Sequence, residues 1–135
     1  MSRIVRVLEE MESYKLDAFF LVTDPNIRYV SGFTGSESFV LFTSEKNYFI
    51  TDGRYTEQAK KECPEFEVLE WKKTNLPVKK ILSELAVKLK LKRIGFEEDY
   101  LSYSMFRKLK ASISEAEIIP TKDIVEKVRY LGLWC

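Results

Sequence analysis

The residues with the clearest capacity for chemistry lie in a short turn, TDGRY, at positions 51–55. Arg54 carries a planar guanidinium, which can bind a substrate carboxylate or an acid of a neighbouring subunit through two parallel hydrogen bonds. In the alternative interpretation the turn is structural. Asp52 would cap a following helix, Gly53 would permit a close turn, and Arg54 would pair locally with a carboxylate. The residues alone favour the structural role.

The second candidate is the loop GFTGS at positions 32–36. A phosphate-binding P-loop would place a lysine after its second glycine, and none stands there. In one interpretation, Gly32 and Gly35 supply positive φ in a tight connection from helix to strand. In the other, the loop presents the ring of Phe33 to a partner or ligand, since an aromatic side chain at a loop tip needs something to cover it.

Histidine is absent from the whole sequence. Ser-His and Cys-His nucleophile pairs, histidine general bases and histidine-containing metal sites are therefore excluded within this chain. The acidic run at 97–99 lacks the spacing of a hard-cation site and is interpreted as a solvated face or strand end. Cys63 is interpreted as an inert thiol. No catalytic set can be named from these residues.

Composition excludes several other classes of function. The 135 residues include 22 basic and 21 acidic side chains, and this balance leaves no basic surplus for a nucleic-acid partner. No apolar run approaches the ~20 residues of a membrane span, and the N-terminus has no apolar signal core. Two cysteines are too few for a disulfide framework. We therefore expect a single globular domain in the reducing cytoplasm.

Apolar periodicity predicts alternating helices and strands. The predicted helices cover 2–15, 24–32, 52–62, 77–91, a segment capped by Ser102, and the tail from Thr121. The predicted strands cover 17–22, 38–43, 47–51, 67–71, 93–97 and 115–119, with Pro120 preventing simple continuation of the last. Only three residues separate the second and third strands, which predicts an antiparallel hairpin. The fold class is therefore α/β with a mixed sheet.

The order of two motifs resembles a known family. DPNIRYVSGFTGS at 24–36 is followed by the hairpin, by FITDGRYTEQA at 49–59 and later by RIGFE at 93–97. This order is similar to the N-terminal domain of the Xaa-Pro aminopeptidase and prolidase family, which includes creatinase. The resemblance spans roughly residues 4–129. It implies a mixed sheet of about six strands flanked by helices on both faces, similar to ribonuclease H.

The resemblance also implies a division of labour. Residues 1–135 would form a single N-terminal domain that precedes a larger pita-bread catalytic domain, absent from this chain. That second domain would hold two divalent cations, usually manganese or cobalt, and would cleave before proline, so this chain is expected to bind no metal and to be inactive alone. The implied partners are the C-terminal catalytic domain, a second copy in a homodimer and, through the full enzyme, short proline-containing peptides. Neither nucleic acid nor membrane is expected.

The family's loop matches Gly32, Phe33, Thr34, Gly35 and Ser36, and its turn matches Asp52, Gly53, Arg54 and Tyr55. The resemblance implies no catalytic role for them. It implies that loops of this domain approach the partner subunit's active site and restrict access to short peptides, without distinguishing aminopeptidase from dipeptidase. The alternative is a stand-alone peptide- or protein-binding module that uses the Phe33 loop. The final YLGLWC departs from the family pattern, so we expect a truncated or altered product.

Overall fold

The computed structural model describes residues 3–35, 38–70 and 77–132. The helices in these ranges are α1 (Arg3–Ser13), α2 (Asp24–Ser31), α3 (Thr56–Glu62), α4 (Pro77–Lys88), α5 (Tyr103–Ser112) and α6 (Ile124–Gly132). The strands are β1 (Ala18–Leu21), β2 (Phe39–Thr43), β3 (Asn47–Thr51), β4 (Glu67–Glu70), β5 (Arg93–Glu97) and β6 (Glu117–Thr121). Every predicted element is present, most with slightly shorter bounds.

The strands form one mixed sheet in the order β4-β3-β2-β1-β5-β6. β2 pairs antiparallel with both β1 and β3, which confirms the predicted hairpin. The pairs β1–β5, β5–β6 and β3–β4 are parallel. The predicted α/β class with a mixed sheet is therefore confirmed.

Both faces of the sheet are covered by helices. Along β1, Phe19 and Leu21 pack among residues of α1, α2, α3 and α6, while Ala18 and Phe20 pack among residues of α4 and α5. Successive side chains of a strand point to opposite faces, so a strand buried on both sides reads as an unbroken apolar run. The run DAFFLV has this pattern, and the predicted helices on both faces are confirmed.

Two local predictions were wrong. Asp52 does not cap a helix, because α3 begins at Thr56 and Tyr55 occupies the N-cap position. Pro120 does not end the last strand, because β6 continues to Thr121. β6 lies at the edge of the sheet, where a proline removes no hydrogen bond that a further strand would need. The predicted cap at Ser102 is confirmed, since its side chain accepts a hydrogen bond from the Met105 N–H.

The topology gathers the candidate segments at one end of the sheet. The pairing register places the carboxyl ends of β1, β3, β4, β5 and β6 beside the amino end of β2. The loop at 32–35 follows α2 and precedes β2 in the chain, and the turn at 52–55 follows β3. The loop and the turn therefore meet although separate strands carry them.

Candidate functional site

Phe33 points into the core, and the prediction of an exposed ring was wrong. Gly32 caps the C-terminus of α2 with a left-handed φ of 80°, which turns the chain sharply, and its N–H donates to the Arg28 carbonyl at 2.9 Å. The Phe33 side chain is only 1% exposed. Its ring centroid lies 4.7 Å from that of Phe49 and 5.7 Å from that of Tyr55. The sheet and the turn after β3 cover the ring, so its packing against Phe49 and Tyr55 stabilises the loop from the core side.

Gly35 meets a steric requirement and not a conformational one. The prediction of positive φ is confirmed for Gly32 and wrong for Gly35. A Cβ atom at position 35 would lie 2.7 Å from Cε2 and Cζ of the Phe33 ring, closer than real Cβ contacts allow. Glycine therefore lets the loop fold over its own phenylalanine. Ser36, the last residue of the predicted loop site, lies outside the described residues.

Thr34 fastens the loop to α3. Its backbone N–H donates to Glu62 Oε1 at 2.8 Å, and its hydroxyl lies 3.1 Å from both Glu62 oxygens. Gln58 Nε2 donates to the Thr34 hydroxyl at 3.0 Å. The hydrogen bond from the Thr34 backbone, helped by the two side chains, holds the pKa of the Glu62 carboxyl below its usual value.

This arrangement predicts that the loop loosens in acid. Because the folded state lowers the pKa of Glu62, its contribution to stability is present above the unfolded pKa and is lost as pH falls through the folded pKa. We expect Glu62→Gln to destabilise the chain most near neutral pH, with the difference from wild type shrinking in acid. Urea unfolding across a pH series measures this. Glu65→Gln, an exposed acid just after α3, is the matched control. A difference that grows toward acid would contradict the assignment.

In the turn, Asp52 holds the Arg54 side chain. Asp52 Oδ1 accepts the Arg54 backbone N–H at 2.9 Å, and Arg54 Nη2 donates to Asp52 Oδ2 at 2.7 Å. The Asp52 side chain is 4% exposed and that of Arg54 is 57% exposed. The predicted local ion pair of Arg54 is therefore confirmed. The guanidinium nevertheless reaches the surface, from a position fixed by a buried carboxylate.

Tyr55 joins the turn to the loop. The Arg54 guanidinium carbon lies 5.2 Å from the Tyr55 ring centroid, and the ring meets Phe33 edge-on. A Cβ atom on Gly35 would lie 3.3 Å from Tyr55 Cε1. The two predicted segments thus form a single surface. We call it the loop–turn site, and its described members are Phe33, Thr34, Gly35, Asp52, Arg54 and Tyr55.

Glu97 lies at a strand end, as one of the two sequence interpretations had it, but it is a buried carboxylate and not part of a solvated face. It is only 6% exposed. Its Oε1 accepts the backbone N–H groups of Val22 at 2.7 Å and Thr23 at 3.1 Å, and its Oε2 accepts Asn26 Nδ2 at 2.7 Å. Burial raises the pKa of Glu97, and the nearby Glu126 raises it further, against the lowering effect of the three donors.

Asn26 extends this network to α6. Its Nδ2 also donates to Glu126 Oε2 at 2.9 Å, and its Oδ1 accepts Arg129 Nη1 at 2.9 Å. One buried amide therefore links β5, α2 and α6 at the same end of the sheet as the loop–turn site. The sequence signal was a glutamate that directly ends the apolar strand RIGFE.

The described residues do not fit a dinuclear metal centre. Across 3–35, 38–70 and 77–132, no three histidine, cysteine, aspartate or glutamate side chains converge as metal ligands would. Cys63 is buried, and burial raises the pKa of its thiol, in agreement with the interpretation of an inert cysteine. Within the same ranges, no helix has the length and apolarity needed to cross a bilayer.

The fold and the two motifs identify the class of protein. A family model described as the creatinase/prolidase N-terminal domain matches residues 3–131. The chain belongs to this family, and the resemblance inferred from the order of its motifs is confirmed.

Individual proteins with similar sequences and structures support the same family assignment. The chain is 34% identical over 116 residues to an uncharacterized peptidase, YqhT, of Bacillus subtilis, covering 86% of this chain and 32% of the relative. It is similar in structure to an Xaa-Pro dipeptidase from Bacillus anthracis, with a TM-score of 0.85, 33% identity and coverage of 94% and 35% of the two chains. It also matches the N-terminal domain of the cytoplasmic peptidase PepQ of Mycobacterium tuberculosis, with a TM-score of 0.84, 26% identity and coverage of 94% and 98%. The chain thus spans about a third of the first two proteins and nearly all of the third.

Proposed function

We propose that this chain is the non-catalytic N-terminal domain of an Xaa-Pro peptidase, either an aminopeptidase or a dipeptidase. The observation that carries the proposal is the family match over residues 3–131, together with coverage of only 35% of an Xaa-Pro dipeptidase. In this proposal residues 1–135 are one domain, and a C-terminal pita-bread domain outside this chain performs catalysis. The proposed location is the cytoplasm, in line with the name of the PepQ relative.

The proposed division of labour agrees with the chemistry of the described side chains. The sequence has no histidine, and the described carboxylates form no metal-binding group. Two divalent cations, manganese or cobalt, would therefore be held by residues of the catalytic domain. We assign no reaction step to this chain. Its own contribution is a rigid surface beside the active site, supporting a homodimer and limiting access to short proline-containing peptides.

Within that role, Arg54 is the residue best placed to meet a ligand. Asp52 fixes the guanidinium through Nε and Nη2, and the side chain remains more than half exposed. A positioned guanidinium suits a carboxylate, either of a peptide substrate or of an acid on the partner subunit. Phe33 cannot play this part, because its ring is buried. The alternative, a stand-alone module that binds a partner through an exposed Phe33, is therefore not supported, because this ring is not at the surface.

The proposal predicts the behaviour of Arg54→Lys in the full enzyme, formed by this chain and its catalytic domain. Lysine keeps a positive charge near Asp52 but loses the guanidinium fork. With Xaa-Pro dipeptides and tripeptides and added manganese, we expect KM to rise about tenfold, since a hydrogen bond to a charged group contributes about 1.5–3 kcal/mol. Arg107→Lys is the matched control, because Arg107 also lies beside a tyrosine ring, at 5.4 Å.

The same assay tests the proposal as a whole. This chain alone should show no turnover, and activity should appear only with the catalytic domain. Turnover by the purified 135-residue chain would overturn the non-catalytic assignment. Equal KM values for Arg54→Lys and wild type would remove Arg54 from substrate access while leaving the domain assignment intact.

A further inference from the structure

A second surface, with no residue in common with the loop–turn site, carries a concentration of positive charge. It is a groove of about 490 Å³ between parts of α1, α2 and α6. We call it the arginine groove, and its lining residues are Arg3, Asp24, Pro25, Arg28, Tyr29 and Arg129. Three guanidinium groups thus face a groove that one carboxylate also lines.

Two of the three arginines are held in place by neutral groups. Arg3 Nη1 donates to the Tyr29 carbonyl oxygen at 2.8 Å, and its guanidinium carbon lies 4.2 Å from the Tyr29 ring centroid. Arg129 Nη1 donates to Asn26 Oδ1 at 2.9 Å. A carbonyl, an aromatic ring and an amide orient a guanidinium without neutralising it. Both side chains are therefore positioned while their charge stays available.

The groove carries more positive than negative charge, because three arginines and one carboxylate, that of Asp24, line it. Among the described residues, Arg3, Arg28 and Arg129 form no ion pair with a carboxylate. Glu126 accepts a hydrogen bond from Asn26 Nδ2, whereas Arg129 donates to Oδ1 of the same amide, and Glu126 does not line the groove. Like charges in one groove repel one another, and an anionic ligand would relieve that repulsion.

The local backbone disfavours phosphate as that ligand. Phosphate sites at helix N-termini use free backbone N–H groups, and here Pro25 has none. The N–H groups of Val22 and Thr23 already donate to Glu97 and are therefore not available to a phosphate. Separate guanidiniums along a groove instead match separate carboxylates along a chain. With a net charge of only +1, this chain offers no broad electrostatic field for nucleic acid.

We propose that the arginine groove binds an acidic peptide segment of a partner polypeptide through its carboxylate side chains. The three exposed arginines supply the cations, with Arg3 stacked on the Tyr29 ring. Pro25 and Tyr29 form the apolar wall for the peptide's aliphatic atoms. This interaction is additional to the proposed role beside a catalytic domain, and it can be tested without that domain.

The test uses the 135-residue chain and a fluorescently labelled glutamate-rich peptide, measured by anisotropy at low ionic strength. A peptide with glutamine at every glutamate is the ligand control. We expect binding of the glutamate peptide alone, weakened by added salt. Arg28→Gln and Arg129→Gln should each weaken it about threefold and together about tenfold, as for partly exposed ion pairs. Arg107→Gln, on α5 at the other face of the sheet, should leave the affinity unchanged.

Several outcomes would overturn the proposal. These are no binding of the glutamate peptide at low salt, equal binding of the glutamine peptide, or an equal loss from Arg107→Gln. Competition separates the anion classes: if inorganic phosphate displaces the peptide at lower concentration than acetate does, the groove is a phosphate site and the carboxylate assignment is wrong. Circular dichroism of each variant shows whether it is folded, so a folding defect is not mistaken for a loss of binding. Arg28→Gln gives the clearest test, because Arg28 is exposed and its replacement should leave the fold intact.

Discussion

Replacing Glu97 with alanine is expected to lower the free energy of unfolding by about 3–5 kcal/mol. The carboxylate accepts the N–H groups of Val22 and Thr23 and the amide of Asn26, and it is 6% exposed. Alanine removes the acceptor of the two backbone N–H groups, while the Asn26 amide keeps its hydrogen bond to Glu126. Each unsatisfied buried donor costs about 1–3 kcal/mol. Urea unfolding measures the loss.

Glu97→Gln separates the charge from the hydrogen bonds. Glutamine keeps an oxygen for the two backbone N–H groups, but its NH₂ then meets the NH₂ of Asn26, so we expect a smaller loss than for alanine. Glu98→Gln, one residue away and exposed, is the control and should change stability little. A loss for Glu97→Ala no larger than for Glu98→Gln would show that the network does not stabilise the fold.

The pH dependence of this variant has a definite sign. Burial raises the pKa of Glu97, so the folded state holds the proton more tightly than the unfolded chain does. Its contribution to stability is complete below the unfolded pKa and is lost as pH rises through the folded pKa. The advantage of wild type over Glu97→Gln should therefore be largest in acid and shrink as pH rises. An advantage that grows with pH would contradict the raised pKa.

The sheet was predictable because its signal is local. The runs DAFFLV, SFVLFT and NYFIT are apolar at their centres, as central strands covered on both faces must be, and only three residues separate the last two runs. The hairpin register follows from that short connection. Features that depend on the order of the strands in the sheet were not predictable from the sequence. The strand at Pro120 continues because β6 is an edge, and that order appears only in the assembled fold.

The functional surfaces were less predictable because their partners are distant in sequence. Glu97 receives its hydrogen bonds from residues 71 to 75 positions earlier, so its place at the end of an apolar strand could not by itself predict these partners. Asp52 was predicted as a helix cap, a role that depends on where the helix starts. The helix starts at Thr56, so three residues separate it from Asp52, and Asp52 cannot be its cap. The pairing of Asp52 with Arg54 was predictable because the two are only two positions apart.

Phe33→Ala should lower the free energy of unfolding by about 3–5 kcal/mol, the range for a buried phenylalanine. The ring is 1% exposed and contacts the rings of Phe49 and Tyr55. Its removal leaves a cavity under the loop–turn site. Urea unfolding measures the loss, and Tyr103→Ala is the control, because that ring is 72% exposed and its loss should cost little.

A double-mutant cycle with Gly35 tests the same contact more sharply. In the wild-type background, Gly35→Ala should cost about 1–3 kcal/mol, because the new Cβ would lie 2.7 Å from the Phe33 ring. In the Phe33→Ala background the ring is gone, so the same substitution should cost much less, and the two changes should be strongly non-additive. Additive losses would mean that the ring does not lie under Gly35. A non-additive result would establish that Phe33 is the internal support of the loop, which leaves ligand contact to the exposed Arg54 beside it.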